Sequence, residues 1–179
     1  MITLGIDPGW ASCGLALREY GKITKATNIV PRDIGSREMF GLTDITDYIK
    51  DEFLGTEFTW VSDIDAVYME RYVAYKGIHS DMSEKILMFI GALQYYFLAD
   101  GVPVHMVRAI DWKPKVCKYL VRTKGFNNPY PSFDKKYSIL AAKELSGISG
   151  VTDHEADAIC LSYLSVVDEY NSKNKGTKK

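Results

Sequence analysis

The sequence is short of cysteine. Its three, Cys13, Cys117 and Cys160, are odd in number and widely spaced, so they fit neither a disulfide framework nor a zinc site. A reducing cytoplasm is the compartment that suits such a chain. No run of about 18 apolar residues is present, which predicts no membrane-spanning helix. The opening residues, Met1 to Asp7, lack a basic segment followed by an apolar stretch and read as a first strand rather than a signal peptide. Internal repeats and an interdomain linker are also missing. One domain over residues 1–170 is therefore expected within the 179, with a basic disordered tail at 171–179. Nor is there a large charge of one sign: the formal net charge is −1.

What charge there is lies unevenly. Acids dominate the first hundred residues, whereas from Arg108 to Lys143 the only acids are Asp111 and Asp134. A chain polarised in this way can present a basic face to phosphates while staying near neutral overall. The alternative is a set of solvated helix faces.

Ile2 to Ile6 reads as a buried strand running into the Asp7-Pro8-Gly9 turn. Strands over Cys13–Arg18 and Ile23–Val30 would complete an antiparallel meander. Apolar spacing predicts a helix over Ser36–Phe53, a strand over Asp65–Met69 with Glu70 at its end, and a long helix capped by Ser80 or Asp81 and running to about Leu98. A fifth strand is expected at Val102–Val107, and a helix capped by Asp111 through Leu120. After a Gly-, Asn- and Pro-rich loop over Thr123–Ser132, a helix capped by Ser132 should run through Leu145. A last helix should open at Thr152 or Asp153 and run to about Tyr170. The order predicts an α/β domain: a mixed five-stranded sheet flanked by helices.

Four carboxylates fall where a metal site needs them. Asp7 follows the first strand and Glu70 the fourth; Asp153 and Asp157 lie at the start of the last helix. Carboxylates at the C-terminal ends of strands face the crevice where α/β sheets hold ligands. Gathered together they repel unless a cation sits among them, and hard oxygen donors suit Mg²⁺ or Mn²⁺. Two such ions about 4 Å apart are the usual arrangement for hydrolysing a phosphodiester in line. Singly, each residue has a plainer reading: a turn at Asp7, an exposed strand end at Glu70, a helix cap at Asp153.

Three motifs in combination resemble the signatures of the RuvC-type Holliday-junction resolvases. They are Gly5-Ile6-Asp7-Pro8-Gly9, Met69-Glu70-Arg71 and Asp153-His154-Glu155-Ala156-Asp157-Ala158. The resemblance implies an RNase H-like fold, a homodimer, Mg²⁺ dependence and paired nicks across branched DNA, chiefly four-way junctions. It implies Asp7, Glu70, His154 and Asp157 as the catalytic and metal-binding set. Asp153 is a further metal candidate, or else mainly a cap. Basic residues of this region, here Lys113, Lys115, Lys118, Arg122, Lys135 and Lys136, would hold the DNA backbone through counterion release. Tyr72, Tyr75 and Lys76 follow Glu70, and an aromatic there would stack on an unpaired base at the junction centre. Gly125–Pro131 departs from the bacterial pattern like an insertion. Divergence of this kind is common in resolvases encoded by phages and viruses, which act in the host cytoplasm.

The long helix carries apolar residues on more than one face, Phe89, Ile90, Leu93 and Phe97 on one and Leu87, Tyr95, Tyr96 and Leu98 on another. One side would meet the sheet and the other a second subunit. Three readings compete: a nuclease of the same fold acting on flaps, forks or hybrids, an ATP-binding kinase-like fold, and a non-catalytic junction-binding protein. The kinase-like fold needs a longer chain, and the non-catalytic protein has no use for clustered metal ligands.

Overall fold

Alternation along the first strand sets the architecture. The computed structural model describes residues 1–30, 46–55, 61–73, 80–130 and 132–174. In β1 (Ile2–Asp7), Leu4 and Ile6 point to one face of the sheet. Thr3, Gly5 and Asp7 point to the other, as a period of two requires. β1 pairs antiparallel with β2 (Cys13–Glu19), which pairs antiparallel with β3 (Lys22–Ile29), the expected meander. On its other edge β1 runs parallel to β4 (Ala66–Glu70), and β4 parallel to β5 (Val104–Val107). The order is β3-β2-β1-β4-β5, a mixed five-stranded sheet flanked by helices. Ile6 lies beside Met69, so Asp7 and Glu70 leave neighbouring strands at the same edge.

Each face of the sheet has its own core. Leu4, Ile6, Leu15, Val67 and Met69 meet Phe89, Leu93 and Phe97 of α1 (Ser80–Ala99) on one side. The other side is covered by α2 (Ala109–Lys124), α3 (Lys135–Ser146), α4 (Asp153–Ser162) and α5 (Leu164–Lys173). There α4 lies directly on β1 and β2 because their inward residues are small. A Cβ on Gly5 would stand 2.0 Å from the Ala158 carbonyl oxygen, and one on Gly14 would stand 2.0 Å from that of His154. Only glycine permits this approach.

Several helix ends differ from expectation. The last helix breaks at Tyr163, whose N–H turns back to Cys160 C=O at 3.2 Å. Tertiary contacts hold it there: its hydroxyl donates to Leu145 C=O, and the Arg18 guanidinium lies 4.7 Å over its ring. α5 then continues to Lys173, so Asn171–Lys173 of the expected tail are helical; residues 175–179 lie outside the described residues. Asp111 does not cap α2. It sits in the first turn and takes two hydrogen bonds from Arg108, which occupies the cap position. α2 also extends to Lys124, past the expected start of the loop. Asp134 rather than Ser132 caps α3, because its carboxylate accepts from the N–H groups of Lys136 and Tyr137. Of the helix expected at Ser36–Phe53, residues 46–54 are described and helical; the remainder, and the side chains of Ser80 and Asp81, lie outside the described residues. Among the described residues no helix is long and apolar enough to cross a membrane.

Candidate active site

The close seat of α4 on β1 and β2 brings its first turns over the end of β1. Thr152 is the N-cap, in a capping box with Glu155: its hydroxyl accepts from Glu155 N–H while the Glu155 carboxylate accepts from Thr152 N–H. This settles the choice between Thr152 and Asp153 as cap. Asp153 is instead the first helical residue and its carboxylate pairs with Lys135 on α3. His154 reaches β1, its Nδ1 lying 2.6 Å from Asp7 Oδ2. That contact raises the imidazole pKa against the opposing pull of burial.

Asp157, one helical turn on from His154, is engaged by Lys113 of α2, with Nζ 3.2 Å from Oδ2. Its other oxygen, Oδ1, is buried and has no hydrogen-bond partner. Burial raises the Asp157 pKa, with Lys113 acting in the opposite sense. Glu70 accepts a 2.8 Å hydrogen bond from the indole N–H of Trp112. Burial, then the charges of Asp7 and Asp157, push its carboxyl up from 4.5 to about 7. Asp7, Glu70, Asp157 and His154 are thus brought into one electrostatic cluster, and Asp153 borders it through His154 and Lys135. Among the described residues no three such side chains close into a ready-made metal cage. Asp157 is held by the Lys113 ammonium and Asp7 by the His154 ring instead. The donor set still fits a hard divalent ion: three carboxylates, one with an orphaned buried oxygen and one whose ionisation is opposed by the other two.

Beside these acids opens a cavity of about 400 Å³, lined by Asp7, Glu70, Arg71, Tyr72, Val73, Arg108 and Ile110, among others. Arg71 and Arg108 do not stand out as site residues on sequence grounds. Arg71 directly follows Glu70 in the strand-end motif, which is the signal available for it; Arg108 opens the basic stretch.

The expected DNA contacts divide. Lys115, Lys118 and Arg122 share one side of α2 and are exposed, Lys115 pairing with Asp168 of α5. Lys113 does not belong with them. Two residues from Lys115 is about 200° round a helix, so it faces inward, only 9% exposed, into the acidic cluster. Lys135 and Lys136 are exposed at the start of α3, the former paired with Asp153. Tyr72 is half-buried on the cavity wall: it packs against the core, and its hydroxyl lies 3.0 Å from Ser83 Oγ on α1. Val73, the next residue, is exposed on the cavity rim. Tyr75 and Lys76 lie outside the described residues.

No protein-family model and no curated protein sequence matches the chain. Solved structures do match its fold. "T. thermophilus RuvC in complex with Holliday junction substrate" gives a TM-score of 0.66 at 17% identity, covering 97% of each chain. Thermus thermophilus RuvC in a second structure gives 0.60 at 18% identity, over 96% of this chain and 97% of that one. The yeast mitochondrial Holliday junction resolvase gives 0.50 at 13% identity, over 96% and 83%. At such identities the likeness establishes architecture, and on that ground the chain has the RNase H-like fold of these resolvases.

Proposed function

We propose that this chain is a divalent-metal-dependent endonuclease that resolves four-way DNA junctions by paired nicks. The observation that carries the reading is the convergence of Asp7, Glu70 and Asp157 beside an open cavity, in the fold that RuvC uses on a Holliday junction. Asp7, Glu70 and Asp157 would hold Mg²⁺, with Mn²⁺ able to substitute. Once bound, the metal would supply an activated water and neutralise charge on the scissile phosphate. His154, held by Asp7 through Nδ1, keeps its second ring nitrogen for a proton or a phosphate oxygen. Arg71 and Arg108 on the cavity wall would grip the phosphates flanking the cut. Exposed Lys118, Arg122 and Lys136 would carry the neighbouring backbone.

Paired nicks need two sites, hence a homodimer. Its support is a stripe on α1 facing away from the sheet: Leu87 and Leu98 are each 55% exposed and Tyr95 77%. The enzyme would work in a cytoplasm, that of the host if the gene is viral. The deciding experiment is incubation of labelled four-way, three-way and linear DNA with Mg²⁺ and the wild type, Asp7→Asn, Glu70→Gln or Asp157→Asn. The wild type should nick the four-way junction symmetrically, while each variant binds it without cutting. Full cleavage by any variant removes that residue from the site, and cleavage of only three-way or linear DNA rejects the junction as target.

A further inference from the structure

We infer that Trp112 is the positioning residue for Glu70, fixing one carboxylate oxygen so that the other faces the metal, and that its indole senses occupation of the site. This rests on the reading of Glu70 as a metal ligand. Trp112 is 1% exposed. A buried indole N–H donates only and needs an acceptor. The acceptor chosen is Glu70 Oε2, 2.8 Å away and 42 positions distant in sequence. The ring is wedged in the core beneath α2, so the direction of its N–H is fixed by packing and cannot swing with solvent.

The chemistry of this donor matters. It is neutral, so it holds Glu70 without competing for the site as a cation would, and it occupies only one oxygen. Lys113, the adjoining residue, holds Asp157 by charge. The first turns of α2 therefore grip one carboxylate from β4 and one from α4. The grip is anchored from outside the site, because the Tyr137 hydroxyl on α3 donates to Lys113 C=O at 2.9 Å. Groups that orient a ligating carboxylate in this way tune metal affinity by about 10- to 100-fold.

The test uses the full chain and Mn²⁺ alone, with two independent measurements. Calorimetric titration should show Trp112→Phe weakening Mn²⁺ by about tenfold, and adding nothing further in a Glu70→Gln background. That non-additivity separates positioning from a general loss of packing. The second measurement keeps Trp112 as the sole indole by replacing Trp10 and Trp60 with Phe. Its emission should be quenched saturably by Mn²⁺ over the same range, and Glu70→Gln should move the quenching to the weaker range that calorimetry gives for that variant. Should Trp112→Phe fail to fold, this second measurement decides alone. Unchanged affinity in Trp112→Phe, an equal loss in both backgrounds, or emission indifferent to bound Mn²⁺ overturns the inference while leaving the nuclease reading intact. Failure of the wild type to bind Mn²⁺ at all overturns both.

Discussion

Glu70→Gln should stabilise the metal-free protein at pH 8 and scarcely affect it at pH 5. Burial first, then Asp7 and Asp157, raise the Glu70 carboxyl from 4.5 to about 7. A folded-state pKa above the unfolded one means that the folded chain binds the proton more tightly. The resulting stability is complete below about pH 4.5 and is lost as pH climbs through about 7. At about 1.4 kcal/mol per pH unit, the loss approaches roughly 3 kcal/mol by pH 8. Glutamine stays neutral at every pH and keeps an oxygen for the Trp112 N–H, so the variant avoids the loss. For a chain of this length 1 kcal/mol moves Tm by about 2–4 °C, so the variant should melt about 6–12 °C above wild type at pH 8 in chelator. Burial of Asp157 and the Asp7 contact of His154 raise those groups too, so wild-type and variant curves both slope downward with pH. The diagnostic is the gap between them, read by scanning calorimetry from pH 5 to 8. Saturating Mg²⁺ should close it by stabilising the wild type selectively. A gap equal at pH 5 and pH 8, or a wild type more stable than the variant at pH 8, would refute the reasoning.

Three further outcomes are expected. Gly14→Ala places a methyl 2.0 Å from the His154 carbonyl oxygen, so α4 must lift. Stability should fall by about 1–3 kcal/mol and cleavage by about 100-fold, since an ångström of misplacement costs that much; a fully active, stable variant would show that α4 does not set the site. Joint Lys118→Ala and Arg122→Ala substitution should lower the log-log salt slope of junction binding by about one for each phosphate that is no longer neutralised, whereas an unchanged slope places the DNA on another face. Leu87→Glu with Tyr95→Glu on α1 should convert a sedimenting dimer of the 20.2 kDa chain into a monomer, and a wild type already monomeric at micromolar concentration rejects that interface.

The sheet is readable from sequence because a period of two is a local signal. Leu4 and Ile6 against Gly5 and Asp7, or Val67 and Met69 against Glu70, announce both strand and facing. The strand-end acids follow from the same register. What sequence does not reveal lies in contacts between distant segments. Asp134 wins the α3 cap from Ser132 by two residues, and choosing between neighbouring cap formers needs the backbone itself. Composition groups Lys113 with its basic neighbours because it counts charge without facing, and only the helix phase turns it inward. The Tyr163 break depends on Arg18 and Leu145, neither of them close in sequence. Gly5 and Gly14 are visible letters, but their purpose emerges only when α4 is laid across them.

Those two glycines and the α2 pair explain how acids can be gathered here before any metal arrives. Closeness of β1, β4 and α4 forces Asp7, Glu70 and Asp157 into one field, which unopposed would drive the elements apart. Each acid has its own local answer. Asp7 leans on His154, Asp157 on Lys113, and Glu70 on a neutral indole together with a raised pKa. The three answers differ in what a divalent ion must displace. The ammonium is a cation and the imidazole becomes one on protonation, and the ion competes with both for the same oxygens; the indole is neutral, and it keeps its bond. Glu70 is therefore the acid most completely oriented in advance, and it is also the one that must lose a proton near neutrality for the metal to enter. Metal affinity should consequently rise with pH through the region near 7, as Glu70 loses its proton and protonated His154 gives up its own. Calorimetry of Mn²⁺ binding from pH 5.5 to 8 checks this, and an affinity independent of pH over that range would show that Glu70 enters the complex already ionised.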